Sequence, residues 1–85
     1  MLDITEIRIK KIDKGNFLGY ANICISDDFI IRDIKLFDGK NGRYIIMPGA
    51  RLKKENRFRN FAYPIKDEVR KELLEKISKK YDEEN

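Results

Sequence analysis

The stretch FIIRDIKLFDGKNGRYIIMPG, residues 29–49, decides the fold of this chain. Residues 29–37 and 43–47 are two runs rich in β-branched and aromatic side chains, which is typical of strands. Between them, residues 38–42 (DGKNG) form the strongest turn signal in the sequence, because glycine adopts positive φ without strain and Asp and Asn bond their own backbone. A Pro-Gly pair then ends the second run. The stretch therefore predicts two antiparallel strands joined by a tight turn.

The residues before this stretch predict two more strands. Ile7 and Ile9 alternate with charged residues, as in a strand with one face in water. A turn signal at residues 13–16 (DKGN) separates that strand from a second one. The predicted inner face of the second strand consists of Phe17, Gly19, Ala21, Ile23 and Ile25. Because all three connections are short, consecutive strands are expected to be neighbours, and the sheet is predicted to be an antiparallel meander.

After residue 49 the hydrophobic period changes from that of a strand to that of a helix. Residues 58–63 are predicted as a fifth strand, which Pro64 limits to an edge or an end. An apolar stripe at every fourth position, with Asp67 as the N-cap, then predicts one amphipathic helix over residues 67–81. The stripe consists of Val69, Leu73, Ile77 and Tyr81. We thus predict a single α+β domain over residues 1–85, with a twisted antiparallel sheet of about five strands over residues 2–65.

The third strand also bears on assembly. It is predicted to be apolar on both faces, with one face made of Ile30, Ile34 and Leu36 and the other of Phe29, Ile31 and Phe37. A lone helix covers only one face of a small sheet, so a second copy of the chain is expected to cover the rest. The alternative is that loops and long lysine stems cover it. We favour the homodimer.

Composition excludes several classes of function. The chain has one cysteine and no histidine, so a Cys-His catalytic pair is excluded and zinc binding is disfavoured. The longest apolar run is four residues, and the first residues do not resemble a secretion signal. The lone Cys24 fits a reducing compartment. We therefore expect a cytoplasmic protein that is not an enzyme and that has no metal, no cofactor, no small-molecule substrate and no membrane contact.

The positive charge is concentrated in GARLKKENRFRN, residues 49–60. The 85-residue chain has 19 Lys and Arg and 15 Asp and Glu. This segment holds five of the bases and one acid, Glu55, which leaves 14 of each for the rest of the chain. The five bases are Arg51, Lys53, Lys54, Arg57 and Arg59. The segment is either a solvated loop or a site for a polyanion, since guanidinium and ammonium groups pair with phosphates.

Continued as a strand, this segment would place Arg57, Arg59, Phe61 and Tyr63 on one face. Cations interleaved with rings are suited to unpaired bases. We nevertheless predict Phe61 to be a core residue and leave the role of Tyr63 open. A second basic cluster at Arg8, Lys10 and Lys11 is interpreted as solvated protection of an edge strand.

Several motifs of the chain resemble the SpoVG family of small bacterial septation and sporulation regulators. The most specific is the run DIKLFDGKNG, residues 33–42, followed by a short apolar strand and Met47-Pro48. The triplet FRN at residues 58–60, the triplet YPI at residues 63–65 and the segment ITEIRIKKI at residues 4–12 also fit. The resemblance covers nearly the whole chain.

The resemblance implies an α+β homodimer in the cytoplasm that regulates by binding DNA, and in some members RNA. In the family, the bases directly after Met-Pro contact nucleic acid, and Arg51 occupies that place here. The family usually has Ser-Lys-Arg where this chain has Gly49-Ala50-Arg51, so one expected lysine is missing. Asn60 and Tyr63 stand where the family usually has Asp and His. The remaining alternative is a protein-interaction module of septation whose basic loop meets an acidic partner.

Overall fold

Four strands form one antiparallel sheet in the order of the chain. The computed structural model describes residues 2–55 and 57–84. The strands are β1 (Ile4–Lys14), β2 (Phe17–Ile25), β3 (Phe29–Gly39) and β4 (Gly42–Ile46). Their order in the sheet is β1-β2-β3-β4, so the meander predicted from the short connections is confirmed.

Two further strands form a separate hairpin. They are β5 (Gly49–Leu52) and β6 (Arg57–Asn60), which pair antiparallel with each other. The prediction of a fifth strand in the meander at residues 58–63 is therefore wrong. The cause lies at Pro48, which lacks an N–H for a strand ladder, so the chain leaves the main sheet after β4 and pairs locally. The basic segment is thus a β-ribbon and not an irregular loop.

The C-terminal helix α1 (Asp67–Glu83) has the predicted apolar stripe. Leu73 and Ile77 are fully buried, and Tyr81 packs against the core. The N-cap is Lys66, without a side-chain cap bond, so the prediction of Asp67 as N-cap is wrong by one residue. Asp67 lies instead in the first turn, where its negative charge complements the helix dipole.

The hydrophobic core lies between α1 and one face of the four-stranded sheet. Because the helix covers only that side, the opposite face of the sheet has no helix against it; we call it the open face. The core consists of Ala21, Ile23, Ile34, Leu36, Ile45, Met47, Leu73 and Ile77.

A β-bulge in β3 changes which side chains reach the core. Ala21 pairs with Ile34 but Ile23 pairs with Ile31, so β3 has one extra residue between these pairs. Asp33 in this interval has φ of 64°, and its N–H donates to Asn22 Oδ1 at 3.0 Å. The extra residue reverses the alternation. Ile31 therefore packs on the core together with Ile34, whereas Ile30 is 57% exposed.

One face of β3 was predicted to consist of Ile30, Ile34 and Leu36, and the other of Phe29, Ile31 and Phe37. The bulge makes this assignment wrong. A similar shift in β2, between the pairs Phe17–Phe37 and Gly19–Leu36, turns Phe17 away from the predicted inner face. The ring of Phe17 stacks on that of Phe37 on the open face, with centroids 5.0 Å apart. The bulges thus bring Ile31 under the helix with Ile34 and Leu36 and turn the Phe17 ring to the open face.

A cluster of polar contacts fixes the end of α1 to the sheet. Arg43 of β4 donates to Ser78 Oγ at 2.6 Å and to Asp82 Oδ1 at 2.9 Å. The hydrogen bond from Arg43 to Asp82 raises the pKa of the guanidinium. The Tyr81 hydroxyl donates to Asp13 Oδ1 at the end of β1, and Lys11 Nζ lies 4.5 Å from the Tyr81 ring centroid.

Candidate nucleic-acid interface

The β5–β6 hairpin places all five bases of the segment at the surface. Arg51 lies on β5, Arg57 and Arg59 lie on β6, and Lys53 and Lys54 lie in the connection between the strands. All five are exposed. The connection includes Asn56, which lies outside the described residues. The sequence-predicted site is thus brought together on one small element.

The register of the hairpin divides the arginines between its two faces. Arg51 is paired with Phe58, and directly paired residues of antiparallel strands share a face. Arg57 and Arg59 are paired with Leu52 and Ala50, and therefore lie on the other face. The predicted residues thus lie on one structural element, but they do not share one face of it.

The hairpin has little negative charge to neutralise its bases. Arg57 Nε lies 2.5 Å from Glu55 Oε2, and both side chains are exposed. An exposed pair of this kind contributes at most about 1 kcal/mol, so a phosphate can compete with Glu55 for Arg57. Among residues 2–55 and 57–84, the other four bases of the set form no ion pair. The hairpin therefore retains an excess of positive charge.

Gly49 allows the two strands of the hairpin to approach each other. A Cβ atom added there would lie 2.2 Å from Arg59 O and 2.8 Å from a ring carbon of Phe58. The Phe58 ring therefore covers the glycine backbone. The hairpin ladder is extended by the Phe61 N–H, which donates to Pro48 O at 2.7 Å. A two-stranded hairpin is marginal alone, and these contacts hold its two strands together.

A groove separates the hairpin from the open face of the sheet. Its volume is about 340 Å³. The residues that line it are Tyr20, Asp33, Lys35, Met47, Pro48, Gly49, Phe58 and Phe61. Sequence reasoning missed Tyr20, Lys35 and Phe58 as candidate site residues. Strand alternation could have placed Tyr20 and Lys35 on an outer face, but only the pairing register shows that they lie near the hairpin.

The prediction that Phe61 is a core residue is wrong. Its side chain is 71% exposed, because β6 ends at Asn60 and the chain bends before it can lie under the helix. Tyr63 is 58% exposed and Ile65 is 88% exposed. Together these three side chains border an apolar groove of about 630 Å³ that reaches Met47.

Two further features of the described part of the chain concern other classes of site. Within residues 2–55 and 57–84, no three Cys, Asp or Glu side chains come together as metal ligands would. In the same residues, no helix has the length and apolar character needed to cross a bilayer.

Comparison with known proteins shows the family to which the chain belongs. The SpoVG family model matches residues 2–83. Curated proteins named "Putative septation protein SpoVG" from Treponema denticola and Agathobacter rectalis are 34% and 36% identical, over 95% and 94% of this chain. The aligned regions cover 87% and 92% of those proteins. The relative of the same name from Macrococcus caseolyticus is 34% identical over 96% of this chain and 71% of its own length. The chain belongs to the SpoVG family.

Proposed function

We propose that this protein is a nucleic-acid-binding regulator that contacts phosphates of DNA or RNA through the β5–β6 hairpin. The contacting residues are Arg51, Lys53, Lys54, Arg57 and Arg59. The observation that carries the proposal is the exposure of all five on one hairpin whose ion pairs, in the described residues, include only the exposed Glu55–Arg57 contact. Family membership supports a non-catalytic role in septation.

The chemistry of these residues suits a polyanion. Arginine binds phosphate oxygens bidentately through its planar fork, and lysine acts as a mobile point charge. Because the arginines occupy both faces of the hairpin, a bound strand would pass along or around the ribbon. Such binding releases counterions and weakens steeply as salt concentration rises.

We also propose that the protein acts as a homodimer. The bulge in β3 weakens the original reason for a dimer, since it turns Ile31, Ile34 and Leu36 to the core face and leaves only Ile30 of the aliphatic residues of β3 on the open face. A stronger reason is the exposed apolar segment Phe61, Tyr63 and Ile65, which a second copy of so small a domain would cover.

A protein-interaction module is the second candidate function. The relatives are named as septation proteins, and the exposed Phe61 and Ile65 are suited to a protein surface as well as to a second copy. In that case the hairpin would meet an acidic partner. Binding to duplex DNA, single-stranded DNA and RNA, measured side by side across salt concentrations, separates the two. Retention of any of them at low salt supports the regulator, and retention of none supports the module.

A further inference from the structure

Two rows of side chains, all but one of them aromatic or basic, cross the open face of the four-stranded sheet. Paired residues of antiparallel strands share a face, so the register defines each row. The first row consists of Lys10, Tyr20, Lys35 and Ile46, and the second of Lys14, Phe17, Phe37 and Tyr44. Each row contains one residue from every strand of the sheet.

The rings of the second row form one continuous stack. The ring centroids of Phe17 and Phe37 are 5.0 Å apart, and those of Phe37 and Tyr44 are 5.4 Å apart with planes only 9° from parallel. Tyr44 is at the end of this stack, on β4, and it is 45% exposed. In the described part of the chain no strand pairs with the outer edge of β4. One more planar ring can therefore extend the stack at Tyr44.

The open face also has an excess of positive charge. Arg8, Lys10 and Lys35 lie on it by register, and Arg32 lines a groove there beside Cys24. The acids that face them are Glu6, which pairs with Arg8 at 2.5 Å, and Asp33 at the bulge. Proteins bind unpaired nucleotides with aromatic rings that are flanked by lysine and arginine side chains.

The open face is continuous with the basic hairpin. The groove of about 340 Å³ has Tyr20 and Lys35 on its sheet side and Phe58 on its hairpin side. Arg51 shares the hairpin face of Phe58. An extended polymer bound at Tyr44 can thus cross Lys35, enter the groove and reach Arg51. Along this whole path it stays on a surface of aromatic rings and basic side chains.

We infer that the open face binds a single-stranded nucleic acid, with bases stacked on Tyr44 and in the groove beside Tyr20 and with phosphates on Lys35 and Arg51. This inference rests on the proposed function and specifies its ligand. Only an unpaired strand can offer the faces of its bases, because in a duplex they are stacked on one another. A second copy of this face is a poor occupant, since two like-charged faces repel.

The chain contains no tryptophan and four tyrosines, so tyrosine emission reports on the site directly. The probe is an oligothymidine of about 12 nucleotides, compared with a duplex of equal length. We expect the wild-type protein to bind the single strand more tightly, with quenched emission. Tyr44→Ala and Tyr20→Ala should each weaken single-strand binding by about 5- to 150-fold, the usual range for loss of one stacked base. Tyr44→Phe should keep the affinity and reduce the amplitude of quenching.

The control variant is Phe29→Ala, which removes an exposed ring at the opposite end of β3 and should leave binding unchanged. Thermal melting shows whether each variant is folded, and the amplitude of quenching in Tyr44→Phe provides a second test if Tyr44→Ala is not. Three outcomes overturn the inference: tighter binding of the duplex, unchanged affinity of folded Tyr20→Ala and Tyr44→Ala, or a change in molecular mass in either variant. A wild-type protein that binds neither probe contradicts the proposed function itself.

Discussion

Arg51 and Phe58 lie directly opposite each other across the β5–β6 hairpin, so a guanidinium and an aromatic ring share one face. The Phe58 ring reaches the groove beside the sheet, whereas Arg57 and Arg59 lie on the other face of the hairpin. The five bases are therefore not equivalent. Arg51 lies on the face of the hairpin whose Phe58 ring borders the groove and the open face. The β6 arginines extend the positive surface to the other face of the hairpin.

Replacing Arg51, Lys53 and Lys54 together by alanine should weaken binding to nucleic acid by at least about tenfold at moderate salt. The free energy of unfolding should change by less than about 0.5 kcal/mol, because exposed charges contribute little to folding. Fluorescence anisotropy and urea unfolding measure the two effects.

The matched control for this triple variant replaces Lys66, Lys71 and Lys79, which are exposed at the start and along the length of α1. It removes the same charge from another surface and should bind almost as the wild type does. Equal losses in both variants would mean that only net charge matters. Unfolding of the hairpin variant would show that its bases are structural.

Gly49→Ala should disrupt the hairpin without unfolding the main sheet. The new Cβ would lie 2.2 Å from Arg59 O, so the two strands must separate. We expect faster amide exchange in residues 50–60 and weaker binding to nucleic acid. Gly15→Asn is the control, because a Cβ there has nothing within 4 Å and asparagine tolerates its φ of +61°. Wild-type exchange and affinity in Gly49→Ala would refute a role for hairpin geometry.

Tyr81 should make the stability depend on pH in the alkaline range. Its hydrogen bond to Asp13, together with burial, raises the pKa of the phenol above its ordinary value of 10.0. A raised pKa in the folded state favours the neutral phenol. The stabilisation is therefore complete below pH 10.0 and is lost as pH rises through the raised pKa.

The measurement is urea unfolding of the wild type and Tyr81→Phe between about pH 8 and pH 11. At the lower pH the wild type should be more stable than Tyr81→Phe. This difference in the free energy of unfolding should shrink as the pH increases. Phe29→Leu, which alters an exposed ring that has no ionisable group, should show no such trend. A difference that stays constant with pH would contradict the predicted titration.

Ile65→Glu should convert a dimer to a monomer. Ile65 is the most exposed large apolar side chain among residues 2–55 and 57–84, and a carboxylate there would be costly to bury in an interface. Sedimentation equilibrium gives the molecular mass directly. Ile30→Glu is the control, since Ile30 is exposed on the open face, which we assign to nucleic acid. A wild-type monomer, or dissociation by Ile30→Glu alone, would place the interface elsewhere or remove it.

The sequence was sufficient to predict the meander and the helix because their signals are local. The DGKNG turn specifies a hairpin, and the four-residue spacing of Leu73 and Ile77 specifies a helix. Neither signal depends on the rest of the chain. The face assignments in β2 and β3 failed for the opposite reason. A bulge depends on pairing between strands, and the Asp33–Asn22 hydrogen bond joins residues 11 apart.

The candidate site was predicted only in part for the same reason. Charge counting found the five bases, since their excess is visible in sequence. It could not show that the segment folds on itself, because the Arg51–Phe58 pairing depends on where the chain leaves the main sheet. Phe61 was assigned to the core from its apolar character, although the bend after Asn60 exposes it.

The most direct test of the account is the salt dependence of binding to a single-stranded oligonucleotide. If a dimer neutralises about six phosphates, the logarithm of the association constant should fall against the logarithm of salt concentration with a slope of about −4, or about −5 for duplex DNA. We predict measurable binding at low salt with such a slope. Absence of binding to single-stranded DNA, RNA and duplex at every salt concentration would contradict the assignment of the hairpin to nucleic acid.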